Sequence, residues 1–214
     1  DEAIKEANDR VKLTGIRDCR YIHSNIYEIE SGPKSGLHQR FDVAYVTVGA
    51  LIWMPDIDLF FKKASELVKP GGHIFIYEEH PFVMMFDDDL TFVDDKNKAQ
   101  NTNADNPESK LERSEIAQNQ NGKDNRLFVK YSYFKDDAWV ENTGIDYIGQ
   151  TIYESKTMYV FTHTMSDIIM GLVNNGFEIK IFKEFEEDIT NNMSYFEKTG
   201  LKLPVSFMLI GQKS

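Results

Sequence analysis

Two histidines stand where acid–base chemistry could be done. His80 closes the run Ile74-Phe75-Ile76-Tyr77-Glu78-Glu79 and precedes Pro81-Phe82, and His163 lies in Phe161-Thr162-His163-Thr164 ahead of a stretch with helical spacing. An imidazole titrates near neutral pH, so either ring could take a proton from a reacting group or hold one in a hydrogen bond. Glu79 is a weaker candidate base. Each histidine also has a plainer reading, His80 as a turn residue beside proline and His163 as part of a helix cap with Thr164 or Ser166 at the N-cap. His23, His38 and His73 fall on a strand, in a loop and at a strand start, and no role is assigned to them. No H-E-x-x-H, G-x-S-x-G, P-loop or metal-spaced His/Asp set occurs, so no metal site is expected. Asp87-Asp88-Asp89 reads as a solvated charge run.

These residues need elements to hold them. Phe41–Gly49 is nearly continuous in apolar residues, the pattern of a strand buried on both faces. Asp56 can cap a helix whose apolar stripe is Ile57, Phe60, Phe61, Ala64, Leu67 and Val68, and Lys69-Pro70-Gly71-Gly72 should stop it sharply before a strand from His73 to Glu78. Strand, helix and strand make a βαβ unit, whose right-handed crossover sets the two strands parallel and adjacent. Ligands of such sheets bind at the carboxyl ends of the strands, which places Asn25, Thr47–Leu51 and Glu78–Phe82 along one edge.

Around this unit, residues 1–14 read as a helix ended by Gly15, and Arg20–Ser24 as a short strand. Residues 87–125 are a polar insertion, either solvated or a lid over substrate. Leu127–Phe134 and Thr151–Phe161 suggest strands of a small β cap, with Lys135-Asp136-Asp137 as a turn. Ser166–Asn175 reads as a helix ending at Gly176, and Phe177–Phe185 and Val205–Gln212 as closing strands. The chain divides into a core over 1–86, an insertion with β cap over 87–160, and the rest of the core over 161–214.

Composition narrows the classes. The 214 residues carry 24 Lys+Arg against 35 Asp+Glu, a net charge of −11, which disfavours a nucleic-acid partner. Apolar residues are 41%, enough for a core, yet no run nears the ~20 residues that span a bilayer. The single cysteine, Cys19, cannot form an internal disulfide, and a reducing, cytoplasmic setting fits best.

The tract Phe41–Asp56 with its Gly49-Ala50-Leu51-Ile52-Trp53-Met54-Pro55-Asp56 segment, followed by Leu67-Val68-Lys69-Pro70-Gly71-Gly72, resembles the class I S-adenosylmethionine-dependent methyltransferases. It is similar to their fourth strand, the segment behind it and the turn before the fifth strand. Glu79-His80-Pro81-Phe82, Phe161-Thr162-His163-Thr164 and Leu203-Pro204-Val205-Ser206-Phe207 extend the likeness, toward a bacterial small-molecule branch. The resemblance implies an α/β, Rossmann-like, seven-stranded sheet, mostly parallel, with the last strand antiparallel between the fifth and sixth and a small β cap inserted. The family's glycine-rich cofactor loop follows its first strand, and no G-x-G-x-G occurs in these 214 residues. The first βαβ is therefore expected upstream, in roughly 40 to 70 further residues.

On that resemblance, the expected cofactor is S-adenosylmethionine, leaving S-adenosylhomocysteine, and the acceptor a small molecule. Asn25 and Ile26 would lie at the adenine, although the family often has an acidic residue at the first position and Asn25 also reads as a turn-former. Thr47, Val48 and Gly49 would meet the methionyl part, and Leu51 would form an apolar wall. Trp53, Glu79, Tyr131 and Tyr133 would face the acceptor, with core packing as the other reading of Trp53 and a cap seam as that of the tyrosines. His80 and His163 are the candidate catalytic groups. Sulfonium methyl transfer chiefly needs alignment and exclusion of water, and a base only where the acceptor must lose a proton. Two rival readings are a non-catalytic relative that binds a partner through its cap, and a methyltransferase acting on protein or RNA.

Overall fold

The computed structural model describes residues 2–16, 18–86, 129–135, 137–145, 152–190, 196 and 200–214; the insertion expected at 87–125 lies outside them. Helix α1 spans Glu2–Thr14. Helix α2 (Ile57–Leu67) starts where Asp56, in extended backbone, accepts from the Leu59 N–H at 2.9 Å, satisfying a donor that a helix start leaves open. Its stripe turns Phe60, Phe61 and Ala64 into the core.

Val68 leaves α2 directly into a strand. Strand β1 (Phe41–Val46) pairs in parallel with β2 (Val68–Glu79), α2 being the crossover. The Lys69–Gly72 tract does not precede β2 but interrupts it. Phe41 pairs with Val68 and Val43 with His73, so the glycines bulge out of the ladder. A Cβ on Gly72 would stand 2.8 Å from the Asp42 carbonyl oxygen, so only glycine lets the β1 backbone pass.

After β2 come a 3₁₀ turn (Pro81–Met85), an antiparallel pair β3 (Trp139–Ile145) and β4 (Ile152–Val160), helix α3 (Met165–Asn174), β5 (Phe177–Phe185) and β6 (Ser206–Lys213). The last strand lies antiparallel between β2 and β5, giving the order β1-β2-β6-β5. Helices α2 and α3 pack together against this sheet. The core between them holds Phe61, Ile74, Ile76, Leu172, Phe207 and Leu209. A second cluster, Val83, Phe86, Phe196 and Val205, lies beneath the 3₁₀ turn.

The helix pair closes over a notch. A Cβ built on Gly171 of α3 falls 2.6 Å from Phe61 Cδ2, so α3 can sit this near α2 only with glycine there. Gly171→Val should cost about 1–3 kcal/mol by overpacking. Thermal unfolding checks this, and an unchanged Tm would contradict it.

Further expectations are corrected. Arg20–Ser24 forms no strand, and Val129–Phe134 none either. The described residues thus make a four-stranded sheet and a two-stranded one. Strand β1 is not buried on both faces: Phe41, Val43 and Tyr45 are 43%, 55% and 63% exposed, because α2 and α3 lie on the face of Ala44 and Val46 and no described helix covers the other. Strand β3 has no counterpart in the sequence reading, since Asn142 and Gly144 break its apolar pattern. It pairs along β4 from Trp139 to Ile145, and the Tyr153 ring of β4 lies over Gly144, where a Cβ would be 2.6 Å from the ring.

Candidate functional site

The chain leaves β1 through Thr47, Val48 and Gly49, and turns into α2 by way of the 3₁₀ turn Leu51–Trp53. Gly49 has φ +79°, the left-handed region that glycine enters without strain, and nothing lies within 4 Å of where its Cβ would be. Thr47 and Val48 are exposed, and Leu51 is buried. This bend turns the Gly49, Ala50 and Leu51 N–H groups toward β2, where Glu78 receives all three: Gly49 donates to Oε2 at 2.6 Å, Ala50 and Leu51 to Oε1 at 2.7 and 2.9 Å. Burial pushes the Glu78 carboxyl up from its ordinary pKa, and the three N–H groups oppose that shift. Sequence reasoning passed over Glu78 in favour of Glu79. The signal available was an acid ending an apolar strand, since a buried carboxylate requires donors.

The same loop is held from its other side. The Phe161 N–H, just past β4, donates to the Ile52 carbonyl at 2.8 Å, and His163 Nε2 donates to the Met54 carbonyl at 2.7 Å. Its Nε2–H being committed, neutral His163 keeps its lone pair on Nδ1. Burial lowers the His163 pKa, the Met54 contact and Asp167 opposing it, so the ring is neutral at pH 7. Thr164 next to it forms a capping box with Asp167 that starts α3.

His80 is arranged differently. Its Nδ1 accepts from the Phe82 N–H at 3.1 Å, capping the 3₁₀ turn, so Nε2 carries the hydrogen. Nε2 lies 3.0 Å from Glu184 Oε1 but outside hydrogen-bonding geometry. Burial lowers its pKa, against the pull of Glu184. Protonation would demand the lone pair that caps the turn.

Leu51, Glu79, His80 and His163 come together on one pocket with Ile52, Glu78, Pro81, Met84, Phe161, Thr162, Ile168 and Phe207. Its enclosed space is about 30 Å³, room for about one water molecule. No lysine or arginine is among these lining residues. Glu79 Oε1 accepts from Thr190 Oγ1 at 2.8 Å.

The remaining candidates lie off this pocket. Asn25 caps the 3₁₀ turn Ile26–Glu28, accepting from the Tyr27 N–H at 3.0 Å, and Ile26 packs on the core. Tyr27 ties that turn to α2 by donating to the Asp56 carbonyl at 3.0 Å and accepting from the Asp56 N–H at 3.1 Å. Trp53 is 45% exposed. Tyr131 stacks edge-on against Trp139, its N–H donating to the Met85 carbonyl at 3.0 Å, while the Tyr133 hydroxyl accepts from the Met165 N–H at 2.9 Å at the start of α3. Residues 129–135 thus run as a strap from the 3₁₀ turn after β2 to α3, beside the pocket.

No protein-family model matches the sequence, and no curated protein matches it. Solved structures do. A methyltransferase dependent on S-adenosylmethionine from Mesorhizobium loti matches at 18% identity and TM-score 0.54, over 98% of this chain and 77% of that one. Another from Clostridium acetobutylicum matches at 11% and 0.53, over 100% and 72%. The chain has the class I S-adenosylmethionine-dependent methyltransferase fold. Geranyl diphosphate C-methyltransferase from Streptomyces coelicolor, in complex with Mg2+, geranyl diphosphate and S-adenosylhomocysteine, is similar at 10% identity and TM-score 0.51, over 99% of this chain and 60% of that one. Within this methyltransferase fold, Thr47–Leu51 and Glu78–His80 occupy the carboxyl ends of β1 and β2, the edge that carries ligands in open α/β sheets.

Proposed function

We propose that the protein transfers a methyl group from S-adenosylmethionine to a small-molecule acceptor by in-line displacement. The observation that carries this reading is the methyltransferase fold together with a built ligand edge, the Gly49 bend whose Cβ position stands open. The bound cofactor would supply an activated methyl group on sulfur. Exposed Thr47 and Val48 and the open Gly49 backbone suit its methionyl part, Asn25 and Ile26 its adenine, and Leu51 an apolar wall. Glu79, Trp53, Tyr131 and Tyr133 form the acceptor side. His163 holds a lone pair on Nδ1 and would take a proton from an acceptor that must lose one. His80, whose Nδ1 is engaged, would offer Nε2–H as a donor. Closure of the small apolar pocket would exclude water, leaving the reaction to alignment.

The reading includes a further βαβ unit beside β1 and the division of the chain at 86 and 160. The exposed face of Phe41, Val43 and Tyr45 supports such a neighbour, as does helix α1, which buries none of its residues. Among the described residues no helix is long and apolar enough to cross a membrane.

Calorimetry of the full-length protein with S-adenosylhomocysteine tests the proposal: saturable heat at micromolar ligand is expected, and no heat at high micromolar ligand would overturn it. Mass spectrometry of candidate metabolites incubated with protein and cofactor then identifies the acceptor by a gain of one methyl group.

A further inference from the structure

Three successive N–H groups, those of Gly49, Ala50 and Leu51, converge on the Glu78 carboxylate at 2.6–2.9 Å, and Glu78 is 3% exposed. Successive amides that converge in this way form a nest for an anion, filled here by a side chain 27 to 29 residues away. The Glu78 backbone is held by β6, Glu78 standing opposite Phe207, two residues past Ile76, where the pairing of β2 with β1 ends. The loop is not regular in itself. Gly49 is in left-handed backbone, and of its main-chain bonds the turn closes on Ala50 N–H to the Thr47 carbonyl at 3.1 Å. With three backbone N–H groups on its two oxygens, Glu78 is placed to hold the loop.

We infer that Glu78 is a positioning residue, a fixed carboxylate peg in the Gly49–Leu51 nest that sets the loop on which cofactor and acceptor would be aligned. Its consequence for ligand binding rests on the methyl-transfer reading; its effect on the loop does not. An acceptor-only group is needed, because all three partners are donors. Glutamine can keep Oε1 toward Ala50 and Leu51, but its NH2 then faces the Gly49 N–H. Alanine empties the nest.

The test uses the full-length protein with Glu78→Gln and Glu78→Ala, read by amide hydrogen exchange at residues 49–51 and by calorimetry with S-adenosylhomocysteine, urea unfolding confirming that each variant is folded. In Glu78→Ala the Gly49 and Leu51 amides should exchange about tenfold to a hundredfold faster, the effect of losing bonds to a charged acceptor, and added formate should slow them again. In Glu78→Gln the change should concentrate at Gly49, which keeps the test open if the alanine variant does not fold. Affinity for S-adenosylhomocysteine should fall about tenfold or more in Glu78→Ala and less in Glu78→Gln. Exchange at 49–51 within twofold of wild type in the variants would overturn the inference. Faster exchange in variants of a protein that gives no heat with S-adenosylhomocysteine would uphold the peg and overturn the methyl-transfer reading.

Discussion

On the proposed methyl-transfer reading, and with an acceptor that must lose a proton, His163→Gln should slow turnover by about a hundredfold to ten-thousandfold, the loss expected when a positioned general base is removed. Glutamine can still donate an amide N–H toward the Met54 carbonyl, so the anchor that His163 makes at 2.7 Å has a substitute, but no group remains to accept a proton at the Nδ1 position. The pH profile gives the sharper reading. Burial holds the His163 pKa below 6.5, so the neutral, proton-accepting ring prevails at pH 7. Rate should fall as pH drops through that lowered pKa, and the variant should lack this limb. Stability carries the same sign. Because the unfolded ring binds a proton more readily than the folded one, stability present above pH 6.5 is lost as pH falls from 6.5 through the folded pKa. Equal turnover and an unchanged pH profile in His163→Gln would leave alignment alone to explain the reaction. His80→Ala separates the two histidines: the Phe82 N–H bond already engages Nδ1, so it should remove a turn cap and a donor without erasing the acid limb.

Phe61→Ala should destabilise the fold by about 3–5 kcal/mol, the range for deleting a buried ring and leaving a cavity. Domain stabilities are about 5–15 kcal/mol, so this is a large share of the whole. Phe61 has no exposed surface, meets Phe60 edge-on at 5.3 Å and fills the notch opened by Gly171. The ring therefore joins α2 to α3, and α3 begins beside His163. The midpoint of urea unfolding should fall while the slope stays near that of the wild type; a loss under about 1 kcal/mol would mean that the helices close over the gap.

Several elements were legible because short-range physics builds them. The Asp56 cap and the stripe of α2 report bonds three and four residues apart, and Thr164 with Asp167 reports the cap of α3. Strand β5 covers Phe177–Phe185, the range its β-branched and aromatic pattern suggests. The motif-borne likeness to methyltransferases and the fold agree for a related reason, since at the Lys69–Gly72 bulge Gly72 is demanded by close backbone approach and Gly71 by a φ of +78°.

Other features belong to partners far along the chain. The pattern of β1 could state that it is apolar, not which of its faces meets a neighbour; Phe41, Val43 and Tyr45 are exposed because α2 and α3 lie on the opposite face. Arg20–Ser24 has strand-forming residues but pairs with no strand among the described residues, and a lone strand is not stable.

The amino-acid sequence alone determined the helix caps, the apolar stripes and the two histidines as candidate acid–base groups, since these depend on residue type and on neighbours a turn away. Only the tertiary structure decided that His163 commits Nε2 to the Met54 carbonyl, and that Glu78 rather than Glu79 grips the site loop. The tautomer of His163 is set by a carbonyl 109 residues away in sequence, and the Glu78 carboxylate meets N–H groups 27 to 29 residues away. No local pattern encodes a bond that the parallel crossover and the final antiparallel strand have first to bring together.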